Sequence, residues 1–302
     1  MTINIVIPTK NRQSCLSNVC HSICTQSIKP NKVVIIDQSE NNISELTITN
    51  LFVLNDIDCL YIYNPNIAGL VEAKHFSLQY LDQDLILFLE DDVVLENDYL
   101  ENVVFAFTQK PEMVGSCGID ILNKYYRFYT LFHRVFHRGL FKDMRPYNVS
   151  IYQKSLRAEL RNCNILSGGI SAWRSSVFKI IKFDTLNKFH SLEDIVFSLR
   201  VIRHFGIESM YFNSFARLKH HMSPVSRSSD LNAFARKIKE NILLYRVYSL
   251  SKFLDFFYLV LLLIGFFIEA IVKSFQKRNL QFLNFYFNGI KEGIYLRVFK
   301  QG

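Results

Sequence analysis

The sequence predicts an α/β protein: a mixed, mainly parallel sheet flanked by helices, with a C-terminal helical region that associates with a membrane. Three observations point there. Over the first 92 residues, short apolar runs alternate with helical stretches, the pattern of βαβ units. Polar and acidic residues gather where those runs end, which is where open parallel sheets bind their ligands. The last 70 residues then combine long apolar runs with a basic excess.

Taken in order, INIVIP (Ile3–Pro8) is a short buried strand stopped by proline. Leu16, Val19, Cys20 and Ile23 recur at helical spacing within Ser14–Gln26. KVVIID (Lys32–Asp37) and CLYIYN (Cys59–Asn64) are the next strands, Gly69–Leu81 is a helix, and LILFLEDD (Leu85–Asp92) is the fourth strand. The pattern breaks at 123–161, a basic aromatic insert with nine Lys/Arg against Asp143 and Glu159. Such a segment lies on a membrane, covers a phosphate site, or is an ordinary amphipathic surface helix. In the first two cases Arg134, Arg138 and Arg145 contact acceptor or lipid. Asn164–Asp184 forms a compact region. Ser191 then opens a helix with Glu193 and Asp194 in its first turn, and IESMYF and FARLKHH read as the last strands. The polar stretch Ser223–Asp230 divides the chain into a domain at 1–222, a linker at 223–232 and a helical tail at 233–302.

With 302 residues, 49% apolar and 21% charged, the chain is not disordered. Its mean hydropathy, +0.10, is high for a wholly soluble protein. Nearly all of the net charge of +8 lies in the tail, where eleven Lys/Arg face four Asp/Glu. Phe253–Val272 is interrupted only by Asp255 and Glu269, and a helix of that length reaches about 30 Å, enough to span a bilayer. Both flanks are basic, which conflicts with a single crossing. A re-entrant or in-plane pair with Leu280–Phe299, at the cytoplasmic face of the membrane, resolves the conflict better than a buried soluble helix. No nucleic-acid module surrounds the basic segments, so nucleic acid is not an expected partner. The six cysteines form no C-x-x-C pair and no secretory signal precedes them. Buried, reduced thiols in a cytosolic setting are expected over a metal cluster of Cys15, Cys20 and Cys24 around His21.

Three features carry chemistry. Glu90-Asp91-Asp92 at a strand end are hard oxygen ligands that would hold Mg²⁺ or Mn²⁺ against substrate phosphates. Glu193-Asp194 sit at a helix start, where the dipole favours an ionised carboxylate able to act as a general base. Gly168-Gly169, followed by Trp173 and Arg174, let backbone approach a ligand closely. Each alone has a structural explanation: an acidic strand end, a helix cap, a tight turn. Their order is more specific. IVIPTKNR, IIDQSE, NIAGLVEAKH, FLEDD, SGGISAWR and EDIVFSLR follow one another along the chain.

This succession resembles glycosyltransferase family 2, with its nucleotide-sugar-binding GT-A fold, over roughly residues 1–222. The resemblance implies a donor site lined by Pro8, Thr9, Asn11 and Arg12, with Asp37 on the base and Gly69 and Lys74 beside the nucleotide. It places Glu90 and Asp91 in the family's acidic D-x-D region, with Glu90 replacing the usual first Asp, and makes Asp92 a metal ligand. His220 or His221 falls where relatives place a further metal or phosphate ligand. Gly168, Gly169, Trp173 and Glu193 would border donor sugar and acceptor, and Asp194 would be the catalytic base. The implied protein is an inverting, metal-dependent transferase moving a sugar from a UDP- or dTDP-sugar to a hydroxyl of a glycan or lipid-linked acceptor. A non-catalytic nucleotide-sugar or glycan-binding membrane-surface protein is the alternative, and a basic membrane scaffold a second.

Overall fold

The computed structural model describes residues 1–125, 127–187, 189–223, 225 and 229–299. The expected linker therefore includes residues 224 and 226–228, and the expected tail residues 300–302, that lie outside the described residues. In chain order the strands are β1 (Ile3–Thr9), β2 (Lys32–Asp37), β3 (Asp58–Tyr63), β4 (Leu85–Leu89), β5 (Val93–Leu95), β6 (Gly115–Asp120), β7 (Leu160–Asn162), β8 (Ile170–Arg174) and β9 (Met210–His220). The helices are α1 (Gln13–Cys24), α2 (Glu45–Val53), α3 (Leu70–Ser77), α4 (Tyr99–Gln109), α5 (Arg127–Phe136) and α6 (Arg145–Ser155). They continue as α7 (Val177–Ile180), α8 (Glu193–Phe205), α9 (Asp230–Tyr248), α10 (Lys252–Gln276) and α11 (Gln281–Tyr295).

All nine strands join one sheet in the order β3-β2-β1-β4-β8-β6-β9-β5, with β7 also on β9. The first four are parallel, as the sequence predicts, and β8 runs antiparallel between β4 and β6. β4, a central strand, is apolar at every position because both of its faces are covered. In β4 the alternation sends Leu85, Leu87 and Leu89 into one core and Ile86 and Phe88 into the other. The ladder from β1 to β4 ends at Val6–Phe88, while that to β2 runs on to Thr9–Asp37. The strands part at the carboxyl end of the sheet, where Pro8 has no N–H to give.

Four details differ from the sequence reading. β4 stops at Leu89, so Glu90-Asp91-Asp92 form the turn into β5 and their side chains are released from the sheet alternation. The two expected last strands are one, β9, eleven residues long. Its middle, Asn213-Ser214, is polar but paired internally: Asn213 Oδ1 accepts from Phe215 N at 3.0 Å, and Ser214 Oγ accepts from Glu159 N. The helices α2 and α4 and the strand β6 also lie where the sequence reading assigned nothing. Finally, Ser191 does not cap α8. The N–H groups of His190, Ser191 and Leu192 donate instead to the Glu240 carboxylate of α9, at 2.8–3.1 Å. These three N–H groups precede the helix, and their buried donors need an acceptor that a different helix supplies.

That contact ties the C-terminal helices to the sheet domain. Phe189, Leu192 and Val196 share a hydrophobic core with Phe234, Ile238 and Ile242 of α9, Leu262 and Phe266 of α10, and Phe282 of α11. The apolar run Phe256–Ile268 is thus covered on one face only. Phe253, Phe256, Phe257, Val260 and Ile264 on the other face are exposed. By length and composition α10 is the one helix among the described residues able to cross a membrane. The cysteines are free thiols, with Cys20, Cys24, Cys117 and Cys163 buried, and the exposed His21 bonds to the Ser17 carbonyl within its own helix.

Candidate active site

The acidic turn after β4 meets the end of β9. His220 Nε2 lies 3.0 Å from Glu90 Oε2 and 2.9 Å from Asp92 Oδ1. Ligand atoms of Glu90, Asp92 and His220 all fall within 4.8 Å of one another. His220 Nε2 makes no directed hydrogen bond despite this closeness, so the three groups converge on a point more than they bond in pairs. Two carboxylates and an imidazole form a donor set that suits Mn²⁺, and the residues present fit such an ion. Burial works against charge on His220, but Asp92 and Glu90 prevail and push its pKa up to about 10. Asp92 is held well below the usual carboxylate range, despite burial, by His220 and by the backbone N–H of Ser223, at 2.9 Å. Of the two candidate histidines, His221 is exposed and contributes only its backbone N–H, to the Asp92 carbonyl, at 2.8 Å; the cluster contains His220.

Next to the cluster, Asp91 accepts from Thr9 Oγ1 at 2.7 Å and from Arg12 Nη1 at 2.9 Å. Burial pushes the Asp91 carboxyl up, and these two donors offset part of that rise. Arg12 also approaches Asp92, at 3.6 Å, and donates through Nε to the Val225 carbonyl. Asn11 adopts a left-handed backbone, φ 55°, which asparagine tolerates, and its amide oxygen accepts from Glu40 N. Asp37, at the end of β2, is buried. Its oxygens accept from Tyr61 Oη at 2.6 Å and Ser39 N at 2.9 Å, leaving lone pairs for a further donor. Gly69 precedes α3 and donates to Gln38 Oε1 at 3.0 Å. The expected donor-side residues Pro8, Thr9, Asn11, Arg12, Asp37 and Gly69 lie at or just beyond the carboxyl ends of β1 and β2 and at the start of α3.

Gly168 and Gly169 join this side to the helix start. Gly169 O accepts from Glu90 N at 2.8 Å, and a Cβ on Gly169 would collide with the Glu90 side chain. A Cβ on Gly168 would collide with Glu193. A side chain at either position would force one of these acids to move. The structure places two expected residues in the interior instead. Lys74 is 2% exposed; its ammonium is engaged by Glu193 Oε1 at 2.7 Å and the Gly168 carbonyl at 2.9 Å. Trp173 alternates into the apolar core opposite Ile86, edge-on to Phe197, with its indole N–H on Ser171. Of the two, Lys74 supports the glycine loop from beneath. Burial also pushes the Glu193 carboxyl up, against the pull of Lys74.

Asp194 follows on the outer side. Its carboxylate pairs with Arg145 at the start of α6, and the same guanidinium holds Asp143 through Nε and Nη2 at 2.7–3.0 Å. The two carboxylates hold the Arg145 guanidinium, against burial, well above its ordinary range. Sequence reasoning placed Arg145 only among the insert's basic residues. Its link to Asp194 spans 49 positions and leaves no spacing signature. A cavity of about 400 Å³ opens beside Arg145, lined by Tyr125, Tyr129, His133, His137, Ser191 and Lys237 among others.

Burial pushes His133 down to about 4 and His137 down to about 3. The folded state thus keeps both rings neutral while the unfolded chain protonates them near pH 6.5. Their contribution to stability is complete above pH 6.5 and is lost as pH falls toward 4. We expect a loss of about 2–4 kcal/mol for the pair between pH 7.5 and 5, read by urea unfolding. In His133→Gln/His137→Gln that loss should largely vanish; an unchanged slope would count against this origin.

The profile of the family described as Glycosyl transferase family 2 matches residues 4–181. The O-antigen chain rhamnosyltransferase RfbN of Salmonella typhimurium is 31% identical over 130 residues, 41% of this chain and 38% of its own. The chain thus matches little more than a third of that relative's length. Among solved structures, S. aureus TarS 1–349 superposes with a TM-score of 0.58 at 15% identity, covering 97% of this chain and 80% of that one. The mannosyltransferase PcManGT of Pyrobaculum calidifontis, in complex with GDP-Man and Mn²⁺, gives 0.61 at 10% identity, covering 97% and 87%. At these identities the structures speak to the fold, a GT-A sheet with flanking helices. With its profile matched over more than half the sequence and its sheet arranged in the same way, the chain belongs to glycosyl transferase family 2.

Proposed function

We propose that the chain is an inverting, metal-assisted transferase that moves a sugar from a UDP- or dTDP-sugar to a hydroxyl of a glycan or lipid-linked acceptor, in surface-polysaccharide synthesis. The observation that carries this reading is one unbroken line of contacts. It runs from the Glu90–Asp92–His220 cluster through Gly169 and Gly168 to Glu193, whose neighbour is Asp194. Donor phosphates and acceptor base would then share one crevice.

In this reading the ends of β1 and β2 hold the nucleotide, with Asp37 on the base and Thr9 and Arg12 fixing Asp91. Mn²⁺ or Mg²⁺ on Glu90, Asp92 and His220 would supply charge neutralisation for the departing nucleoside diphosphate. Asp194 accepts the proton of the acceptor hydroxyl as that oxygen bonds the anomeric carbon. The bond from that carbon to the diphosphate oxygen breaks on the opposite face, which inverts configuration. Arg145 pairs with Asp194 and aims it, so positioning does much of the work. Nucleotide-sugar and Mn²⁺ complexes of structural neighbours, with UDP-GlcNAc and with GDP-Man, support the donor class. RfbN's rhamnosyl transfer supports keeping dTDP-rhamnose among the candidates. The tail, 233–302, would rest on the cytoplasmic membrane face through the exposed side of α10.

A thermal-shift panel of UDP- and dTDP-sugars, with and without Mn²⁺, tests the reading, since only a ligand that prefers the folded state stabilises it. No shift with any nucleotide would remove it. The metal assignment has its own readout. Asp92→Asn should weaken Mn²⁺ binding in calorimetry by at least about tenfold, in line with losses on perturbing metal sites. Binding should also fall with pH as His220 takes a proton. An unchanged Mn²⁺ affinity would place the ion elsewhere.

A further inference from the structure

We infer that the cavity between α5, the turn at Gly139–Phe141 and α10 seats the phosphorylated headgroup of a lipid that carries the acceptor. The inference rests on the transferase reading above and names the acceptor's anchor.

The cavity measures about 470 Å³, and its lining includes Arg134, Arg138, Lys142, His137 and Tyr258. The three cations are exposed and form no ion pair among the described residues. The one carboxylate in the lining, Asp143, is already held by Arg145. Three positive charges therefore face one hollow without a counter-anion of the protein's own. Arginine forks and a lysine point charge suit phosphate oxygens.

The rim selects a lipid over a soluble anion. Tyr258 of α10 closes one side and packs so tightly on Gly139 that a Cβ there would collide with its ring. Phe266 meets His137 edge-on, with ring centroids 6.1 Å apart. Beyond Tyr258, α10 presents exposed Phe253, Phe256 and Phe257, and α5 presents exposed Phe128 and Leu131. A soluble phosphate gains nothing from such surroundings. A lipid phosphate uses the cations for its headgroup and the apolar faces for its chain or the bilayer around it.

The second cavity gives the seat a purpose. It shares His133, His137, Asp143 and Pro146 with the first and continues to Arg145, the partner of Asp194. Along it Tyr125, Tyr129, His133 and His137 follow one another at helical spacing, with centroids 5.2, 5.8 and 3.6 Å apart; the outer two pairs are stacked and the middle pair tilted. With their inner faces covered by one another, these rings line the wall along which an attached sugar would pass. A headgroup in the first cavity would direct its attached sugar along the second, toward Asp194.

Flotation of the full chain with phosphatidylcholine vesicles containing phosphatidic acid tests this. Vesicles brought to equal surface charge with phosphatidylglycerol serve as the comparison. The wild-type chain should bind the terminal phosphate of phosphatidic acid at least about tenfold more tightly, and Arg134→Gln/Arg138→Gln/Lys142→Gln should bring the two within about twofold. Phe256→Ser/Phe257→Ser should weaken both kinds while keeping their ratio. Equal wild-type affinity for the two vesicles, or a preference that survives the triple substitution, overturns the inference. Inorganic pyrophosphate that stabilises the chain without any vesicle preference would make the ligand a free phosphate and overturn the lipid assignment. A thermal shift with UDP and Mn²⁺ on the same wild-type preparation keeps the two levels apart. Loss of that shift strikes the transferase reading, and loss of vesicle preference strikes the headgroup seat.

Discussion

Asp194→Asn is expected to lower the rate of sugar transfer by about 10²–10⁴, the range a positioned general base supplies, while nucleotide binding with Mn²⁺ stays within a few-fold. The substitution is nearly isosteric, and the amide oxygen can still accept from Arg145. Arg145 also keeps its contacts to Asp143, so α6 remains docked. What disappears is the ability to take a proton from the acceptor hydroxyl. The loss should fall on kcat, with KM for the donor little changed, because in the proposed complex the donor's phosphates lie by the Glu90–Asp92–His220 cluster. Near-normal turnover in Asp194→Asn would end its assignment as base. A matching loss of nucleotide binding would instead make it a donor-site residue.

How much of this was legible in the sequence follows from how each contact is made. The acids after the fourth strand and the polar ends of the first two could be read because a strand's end is a local property. β6, GSCGID, was not read: two glycines in six residues and a single β-branched residue give no strand signature, and its place depends on β8 and β9 beside it. Neither was the continuity of β9, whose polar centre looks like a break until Glu159 pairs with it. The partner of Asp194 was hidden for a similar reason. Arg145 lies in a run of basic residues that reads as one surface, yet it alone is drawn between Asp143 and Asp194. Glu240 capping the segment before α8 is the same lesson on the other side. Ser191 stood where a cap is expected, but its own backbone N–H is turned to Glu240 of α9, a partner 49 positions away.

Lys74→Met is expected to cost about 3–5 kcal/mol of stability, the range for removing one partner of a buried ion pair, and to lower the melting temperature by roughly 5–10 °C. Lys74 is enclosed, with Phe88 on one side at 5.5 Å and Glu193 and the Gly168 carbonyl on the other. Methionine can fill much of its volume but leaves the Glu193 carboxyl buried beside Asp194 without a cation. That carboxyl must then take a proton or draw in water, and either shifts the loop it shares with Gly168. Lys74→Met/Glu193→Leu removes both charges and should recover most of the stability, because an apolar pair of similar size escapes the desolvation cost. It should not recover transfer, because the ion pair also fixes the backbone from which Asp194 projects. A single variant as stable as the wild type would show that Lys74 is solvated and free to reach the nucleotide. A double variant that regained full turnover would confine the ion pair to a role in folding.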